Sequence, residues 1–307
     1  MRHAILFAFV LASPAFAADK PSYRVLGADR GHVAIVDASG KVTWEYPNKA
    51  ECHDIALLKN GNVLFQTSRT RVVEATPEKK VAWTYESKPK EGYTGRIEVH
   101  AFRRLDDGNT MIAESGNKRI IEVDAKGEIV KEIPLTVDHP DPHRDTRMVR
   151  KLSNGHYLVC HEGDGVVREY DPKGTVVWSY KLDLAGRPRS PGHGVEGHGA
   201  EVFGAIRLDN GNTLVACGNG NRVIEVTPAG KTVWSIEQDE LPGIKLAWVT
   251  TLQLMPNGNL IFGNCHAGPG NPQLIEVTRD KAKKVVWKFN DFKTFGDSLA
   301  VTQVLTD

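Results

Sequence analysis

The chain has 307 residues, with 39 basic and 38 acidic side chains and a formal net charge of +1. Balanced charge excludes general nucleic-acid binding and a polybasic membrane surface. The length and a 40% hydrophobic content support a sizeable core in one large domain or two ordinary ones.

The first residues, MRHAILFAFVLASPAFAADK, give a basic start at Arg2, an apolar run from Ala4 to Ala12 and a small-x-small pattern at Ala15-Phe16-Ala17. That order predicts a signal peptide over 1–17, cleaved before Ala18, and an exported protein, periplasmic or secreted. The apolar run is too short to span a bilayer, and no later stretch reaches the required length, so no membrane span is expected.

Next comes YRVLGADRGHVAIVDASGKVTWEY, from Tyr23 to Tyr46, which reads as three strands. Five related segments follow: LKNGNVLF, LDDGNTMI, LSNGHYLV, LDNGNTLV and MPNGNLIF, with turn residues Asn60, Asp107, Asn154, Asn210 and Asn257. Asn-Gly and Asp-Gly favour tight hairpin turns between twisted strands. Each segment continues into another strand pair, as in RVVEATPEKKVAWTY and RVIEVTPAGKTVWSI. Four strands per 40–50 residues is the signature of a propeller blade. The chain closes with DSLAVTQVLTD, a lone first strand in which Leu305 matches Leu58, Leu105, Leu152, Leu208 and Met255. The expected fold is therefore all-β: a single six-bladed β-propeller over 18–307. Its carboxyl-terminal strand completes the amino-terminal blade, which removes an exposed sheet edge.

Two sets of repeat residues read as structural. Trp44, Trp83, Trp178, Trp234 and Trp287 recur on the fourth strand, as wedges between neighbouring blades. Glu74, Glu122, Glu169, Glu225 and Glu276 recur on the third, as blade-to-blade contacts with Arg71, Arg119 and Arg222 as candidate partners. Four cysteines, Cys52, Cys160, Cys217 and Cys265, have no spacing that requires disulfides. An oxidising compartment permits pairing, and buried free thiols are the equal alternative.

A propeller has one face of tight turns, with little room for a site, and one of long loops, where function concentrates. Of the 11 histidines, nine fall on the long-loop face: His32, His53, His100, His139, His143, His161, His193, His198 and His266. Seven residues before successive turns stand His53, His100, Arg147, Phe203, Thr250 and Ala300, all at the start of the innermost strand. This predicts His53, His100 and Arg147 around the channel mouth, with Arg103 and Arg150 deeper and Gln253 and Gln303 opposite. Such an arc would bind an anion or stabilise developing negative charge. The alternative is a solvated mouth whose histidines bond loop backbone. The DHPDPHRD segment, Asp138–Asp145, could bring metal ligands together only through a loop, because its prolines forbid a helix. The RPRSPGHGVEGHGAEVFG segment, Arg187–Gly204, carries His193 and His198 on a glycine-rich lid or a plain insertion. Cys52-His53, Cys160-His161 and Cys265-His266 offer metal-type donors at non-equivalent positions, and no metal ligand is assigned.

The VAIVDASGKVTWEY unit resembles the pyrroloquinoline-quinone-like repeat family, and the His53–Leu64 segment resembles the arylsulfotransferase-type bacterial propellers. The likeness runs from Tyr23 to Asp307 and concerns the repeat, so it implies fold more than function. The second resemblance implies a six-bladed enzyme with a sulfuryl-accepting histidine; His53 matches its His-Asp element, and His100 and Arg147 are neighbours by register. This sequence is shorter than those enzymes, and their additional amino-terminal domain is not expected in it. Quinoprotein dehydrogenases have eight blades and an adjacent-cysteine disulfide; this sequence has neither, so a bound quinone is not expected, and no other cofactor is named. The favoured reading is a monomeric binding propeller for a small anionic ligand, a glycan or a protein partner. It would use His53, His100, Arg147, Arg103, Arg150, His161, His193, His198 and His266. The alternative is a histidine-dependent sulfuryl transferase.

Overall fold

The turn between the first two strands of each blade is built by its Asn-Gly or Asp-Gly pair. Gly61 takes φ +83° and donates its N–H to Leu58 O at 2.9 Å, while Leu58 N–H reaches Asn62 O at 2.8 Å. Asn60 Oδ1 accepts the Asn62 N–H at 3.0 Å. The asparagine thus caps the backbone, and the glycine takes the left-handed conformation of a three-residue hairpin loop. Gly108, Gly155, Gly211 and Gly258 repeat the positive φ.

The computed structural model describes residues 22–306. The predicted signal peptide, 1–17, lies outside them. The described residues contain strands and no helix, so no helix among them is long and apolar enough to cross a membrane. The first three strands are β1 (Arg24–Asp29), β2 (His32–Val36) and β3 (Val42–Pro47). Blade two holds β4 (Ile55–Leu57), β5 (Val63–Gln66), β6 (Arg71–Ala75) and β7 (Val81–Glu86). Blade three holds β8 (Glu98–Arg104), β9 (Thr110–Ser115), β10 (Arg119–Val123) and β11 (Ile129–Pro134). Blade four holds β12 (Val149–Lys151), β13 (Tyr157–His161), β14 (Val166–Tyr170) and β15 (Val176–Lys181). Blade five holds β16 (Gly204–Arg207), β17 (Thr213–Ala216), β18 (Val223–Val226) and β19 (Thr232–Ile236). Blade six holds β20 (Trp248–Leu254), β21 (Leu260–Cys265), β22 (Leu274–Val277) and β23 (Val285–Phe289). The last strand, β24 (Thr302–Leu305), pairs with β1, so the first blade has the order β24-β1-β2-β3. These six four-stranded antiparallel sheets form a ring, a six-bladed β-propeller closed by its two chain ends, as the repeat predicts.

The middle strands supply the core. They are buried along their whole length, while the outermost strands alternate toward solvent. Residues buried on both faces of a sheet lose the alternating pattern and read as continuous apolar runs. The outer-strand tryptophans lean onto the following blade: Trp178 Nε1–H donates to Pro228 O at 2.8 Å, and the Arg207 guanidinium lies 4.4 Å from the Trp178 ring centroid.

Four of the five recurring glutamates form ion pairs to the next blade, through different partners from those the sequence suggests. Glu74 pairs with Arg104 at 2.7 Å, Glu122 with Lys151 at 2.6 Å, Glu169 with Arg207 at 2.6 Å and Glu225 with Arg279 at 2.6 Å, each on the next blade. Arg71, Arg119 and Arg222 pair instead with Glu86, Glu114 and Asp183. Each of these arginines precedes its glutamate by three residues on one strand, so the two side chains leave opposite faces. All four cysteines are buried and free.

Candidate functional site

The start of the innermost strands of blades two, three and four brings His53, His100 and Arg147 together, as the register predicts. The His53 and His100 rings meet edge to face with centroids 4.3 Å apart. Arg147 Nη1 lies 3.4 Å from His100 Nε2. His100 occupies a β-bulge between Val99 and Ala101 in the β8–β9 pairing. A bulge inserts one residue and re-aims its side chain, a device common beside functional sites.

Three further residues complete the cluster. Glu98, two positions before His100, is buried, and its Oε2 lies 3.0 Å from His100 Nε2 and 2.8 Å from His143 Nδ1. Its other oxygen faces Arg96 at 3.1 Å and Arg69 at 3.5 Å. His143 comes from the loop between blades three and four. That loop is held by Asp141 N–H to Asp145 Oδ1 at 2.7 Å and by Gly116 N–H to Asp145 Oδ2 at 2.8 Å. Arg147 donates through Nε to Glu162 and reaches His143 Nε2 at 3.4 Å through Nη2. The sequence reading missed Glu98 and Glu162. Glu98 was accessible to it, because residues two apart on a strand share a face.

Burial, with the nearby His100 and Arg147, pushes the His53 imidazole well below its ordinary value. Burial and Arg147 push His100 down to about 4. Burial would raise the Glu98 carboxyl, but the imidazoles of His100 and His143 outweigh it and hold that group well below the carboxylate range. The cluster thus presents a fixed carboxylate beside two imidazoles, His53 and His100, held neutral at physiological pH. Donor atoms of His53, Glu98, His100 and His143 all lie within 4.8 Å of one another.

A pocket of about 380 Å³ opens beside the cluster, lined by His143, Arg144, Arg147, Arg189, His193 and Glu201 among others. Arg144 pairs with Glu162 at 3.2 Å and Glu201 at 3.1 Å, and Arg189 reaches Glu201 at 3.3 Å. His193 stacks against Trp248 at 4.3 Å and lies 5.5 Å from His266. Of these two histidines, His193 lines the pocket.

His198 also lines this pocket, but it is buried and tied to its own loop, with Nε2 3.0 Å from Leu184 O and its backbone paired to Ser190. The remaining sequence candidates are placed elsewhere. His161 is fully buried, with Nδ1 2.7 Å from Asp145 O and Nε2 2.8 Å from the Tyr170 hydroxyl. Arg103 and Arg150 converge as expected, but on this chain's own Asp54. Arg150 reaches it through Nη1 at 2.7 Å and Nη2 at 3.1 Å, and Arg103 through Nη2 at 3.3 Å. Asp54 and the two arginines border a space of only about 20 Å³, which His53 also lines. On the turn face, where the sequence predicts little room, a cavity of about 790 Å³ opens above Arg103 and Arg150. Turn residues Lys59, Asn60 and Asp106 help to line it.

His161 carries a pH prediction. Burial, with Arg168 nearby, lowers its folded value from 6.5 to about 4, against raising contributions from Asp145, Asp164 and Asp138. The unfolded chain therefore binds the proton more tightly. His161 contributes full stability above about pH 6.5, and that contribution is lost as pH falls toward 4, roughly 2 kcal/mol of it by pH 5. Urea midpoints at pH 7 and pH 5 for the parent and His161→Asn check this. The parent should lose about 2 kcal/mol more than the variant between those pH values, and equal losses would refute the assignment.

The ring of PQQ-like four-stranded blades defines the class as a PQQ-like β-propeller. Residues 72–253 match the family described as outer membrane protein assembly factor BamB, and the chain belongs to that family. Comparison with curated proteins gave no match. Among solved structures, a protein of unknown function from Bacteroides caccae is 26% identical with a TM-score of 0.76, covering 94% of this chain and 100% of that one. A catalytically inactive virginiamycin B lyase from Staphylococcus aureus with quinupristin is 14% identical with a TM-score of 0.56, covering 91% and 88%. The WD40 propeller domain of Doa1 is 15% identical with a TM-score of 0.59, covering 85% and 76%. The last two share the fold alone.

Proposed function

We propose that this chain is a periplasmic propeller that binds a small anionic ligand on its long-loop face, in the pocket beside His143 and Arg147. One observation carries the reading: three guanidiniums, Arg144, Arg147 and Arg189, share two carboxylates, Glu162 and Glu201. One positive charge is left over in a concave, partly desolvated site, where charge-assisted hydrogen bonds to a sulfate, phosphate or carboxylate group are strongest. The family's description as an outer membrane assembly factor supports an envelope location. Calorimetry with aryl sulfates, phosphate esters and small carboxylates tests the proposal. A binder should lose at least about tenfold in affinity with Arg147→Ala, and weaken as salt rises. Unchanged affinity in that variant would place the ligand elsewhere.

A second reading is favoured by the Glu98–His143 pair. Glu98 accepts from His143 Nδ1 at 2.8 Å, and the His143 side chain is 40% exposed and lines the pocket, its Nε2 meeting only a long 3.4 Å contact from Arg147 Nη2. A carboxylate-oriented imidazole beside guanidiniums is the arrangement an arylsulfotransferase-like reaction needs. Here Nε2 would attack sulfur as the aryl oxide leaves, and an acceptor hydroxyl would then take the sulfuryl group as its proton passes to a base. The exposed nucleophile in this reading is His143, because His100 is fully buried. A transfer assay with an aryl sulfate donor and a phenol acceptor decides it: turnover abolished in a folded His143→Asn variant supports the reading, and no turnover in the parent ends it.

A further inference from the structure

We propose that His53, Glu98, His100 and His143 form a binding site for a divalent first-row transition metal, zinc being the representative ion. The argument begins at His100 Nδ1, which lies 2.8 Å from the Thr146 carbonyl oxygen. A carbonyl only accepts, so Nδ1 carries the proton and Nε2 is left with a lone pair. That lone pair faces Glu98 Oε2, a second acceptor, at 3.0 Å. Two acceptors this close in a buried site repel unless a positive charge sits between them. A proton there would make a buried imidazolium 3.4 Å from the Arg147 guanidinium. A metal ion instead draws on all the donors at once.

His161 shows what a purely structural histidine looks like in this protein. Its Nδ1 is anchored on a carbonyl in the same way, but its Nε2 meets the Tyr170 hydroxyl, which can donate. For His100 Nε2 the nearest donor is the Arg147 guanidinium, at a longer 3.4 Å and already committed to Glu162 through its Nε. His53 adds an independent observation: its ring nitrogens have no hydrogen-bond partner among the described residues, although the ring packs 4.3 Å from His100 and 5.7 Å from His143. Three imidazole nitrogens and one carboxylate oxygen, all within 4.8 Å of one another, reach ligand distances of about 2.0–2.2 Å once the donors closest to Glu98 move apart and the more distant ones move inward. Nitrogen and oxygen donors without thiolate favour a zinc-like ion over a soft one. Cys52 is turned away, its thiol 3.4 Å from Gln66 O. The supports around the donors are those that fix metal ligands: a carbonyl behind His100 and arginines behind the far oxygen of Glu98. Arg147 opposes a bare dication, but its charge is offset by Glu162.

The test uses the purified full chain, stripped with chelator and titrated with zinc and with cobalt(II). Expected are one tightly bound ion per chain by mass spectrometry of metal content and a tetrahedral-type cobalt spectrum. His53→Ala and His143→Ala, at the less buried positions, should each weaken zinc at least about a hundredfold, since even supporting residues of such sites cost ten- to a hundredfold. His156→Ala, on the opposite face, should bind like the parent. Circular dichroism of each variant separates loss of binding from loss of fold. Substoichiometric binding, or parent-like affinity in both folded variants, overturns the proposal. Anion calorimetry on the stripped protein keeps the two proposals apart, because anion binding without metal leaves the pocket reading intact when the metal site fails.

Discussion

Removing residues 302–307 is expected to abolish cooperative folding. The strand lost, β24, pairs with β1 in register from Arg24–Leu305 to Gly27–Thr302. It is also stapled to both neighbouring inner strands. Gln253 exchanges two bonds with the Val304 backbone, at 2.7 and 2.9 Å, and Gln303 Oε1 accepts the Leu57 N–H at 2.7 Å. Val304 and Leu305 are almost fully buried. Burying such side chains stabilises by roughly 2 kcal/mol each, and each net hydrogen bond adds about 1 kcal/mol. The sum, on the order of 5–10 kcal/mol, rivals the whole stability of a typical domain. Deletion also leaves β1 as an open edge inside the ring, a template for aggregation. Thermal melts followed by near-ultraviolet circular dichroism would check this. A truncated chain that kept its melting temperature within a few degrees would show that the ring does not depend on its seam.

Asp54→Ala should cost about 3 kcal/mol, the largest single-residue effect expected here. Asp54 is buried and accepts from the Ile55 and Phe102 backbone as well as from Arg103 and Arg150. Alanine leaves two guanidiniums facing each other across the channel with no counter-ion. Removing one partner of a buried ion pair costs far more than the pair contributes, because the remaining charge is uncompensated. The arginines keep about a quarter of their side-chain exposure, toward the turn-face cavity, which places the cost at the low end of the usual range. Denaturant melts of Asp54→Ala, and of Asp54→Ala with Arg150→Met, separate the causes. The second change should recover part of the loss by relieving the repulsion. Equal stability of parent and Asp54→Ala would mean that the arginines are solvated and that the aspartate does not hold them.

Legibility followed periodicity. Turn residues spaced along the chain revealed the blade, and Leu305 aligned with Leu58 and Leu105 revealed the closure, because each is written in contiguous sequence. The same spacing placed His53, His100 and Arg147 on one ring, because equal offsets in successive blades become neighbours around the axis. Glu98 was legible in principle from the two-residue period of β8. His143 was noticed only as part of an irregular segment; its placement depends on a loop held by Asp141, Asp145 and the Gly116 backbone.

The opposite error occurred at Arg103 and Arg150. Their shared register was read correctly, but the anion facing them is Asp54, one residue before β4 and two blades from β12. A register states which positions face the axis and says nothing of which charges meet there. Likewise, four of the five recurring glutamates bridge blades as expected, yet their partners are Arg104, Lys151, Arg207 and Arg279, chosen by the offset between neighbouring sheets.

The sequence by itself determined the strand count, the turns, the closure and the ring of inner-strand residues, because local hydrogen-bonding geometry and two-residue alternation are properties of contiguous chain. Only the tertiary structure decided which of nine histidines converge, that a carboxylate stands among them, and that the two deeper arginines are paired with an aspartate of the same chain. Those outcomes depend on a bulge, on loop paths and on how far one blade is rotated against the next, and no repeat unit encodes them alone.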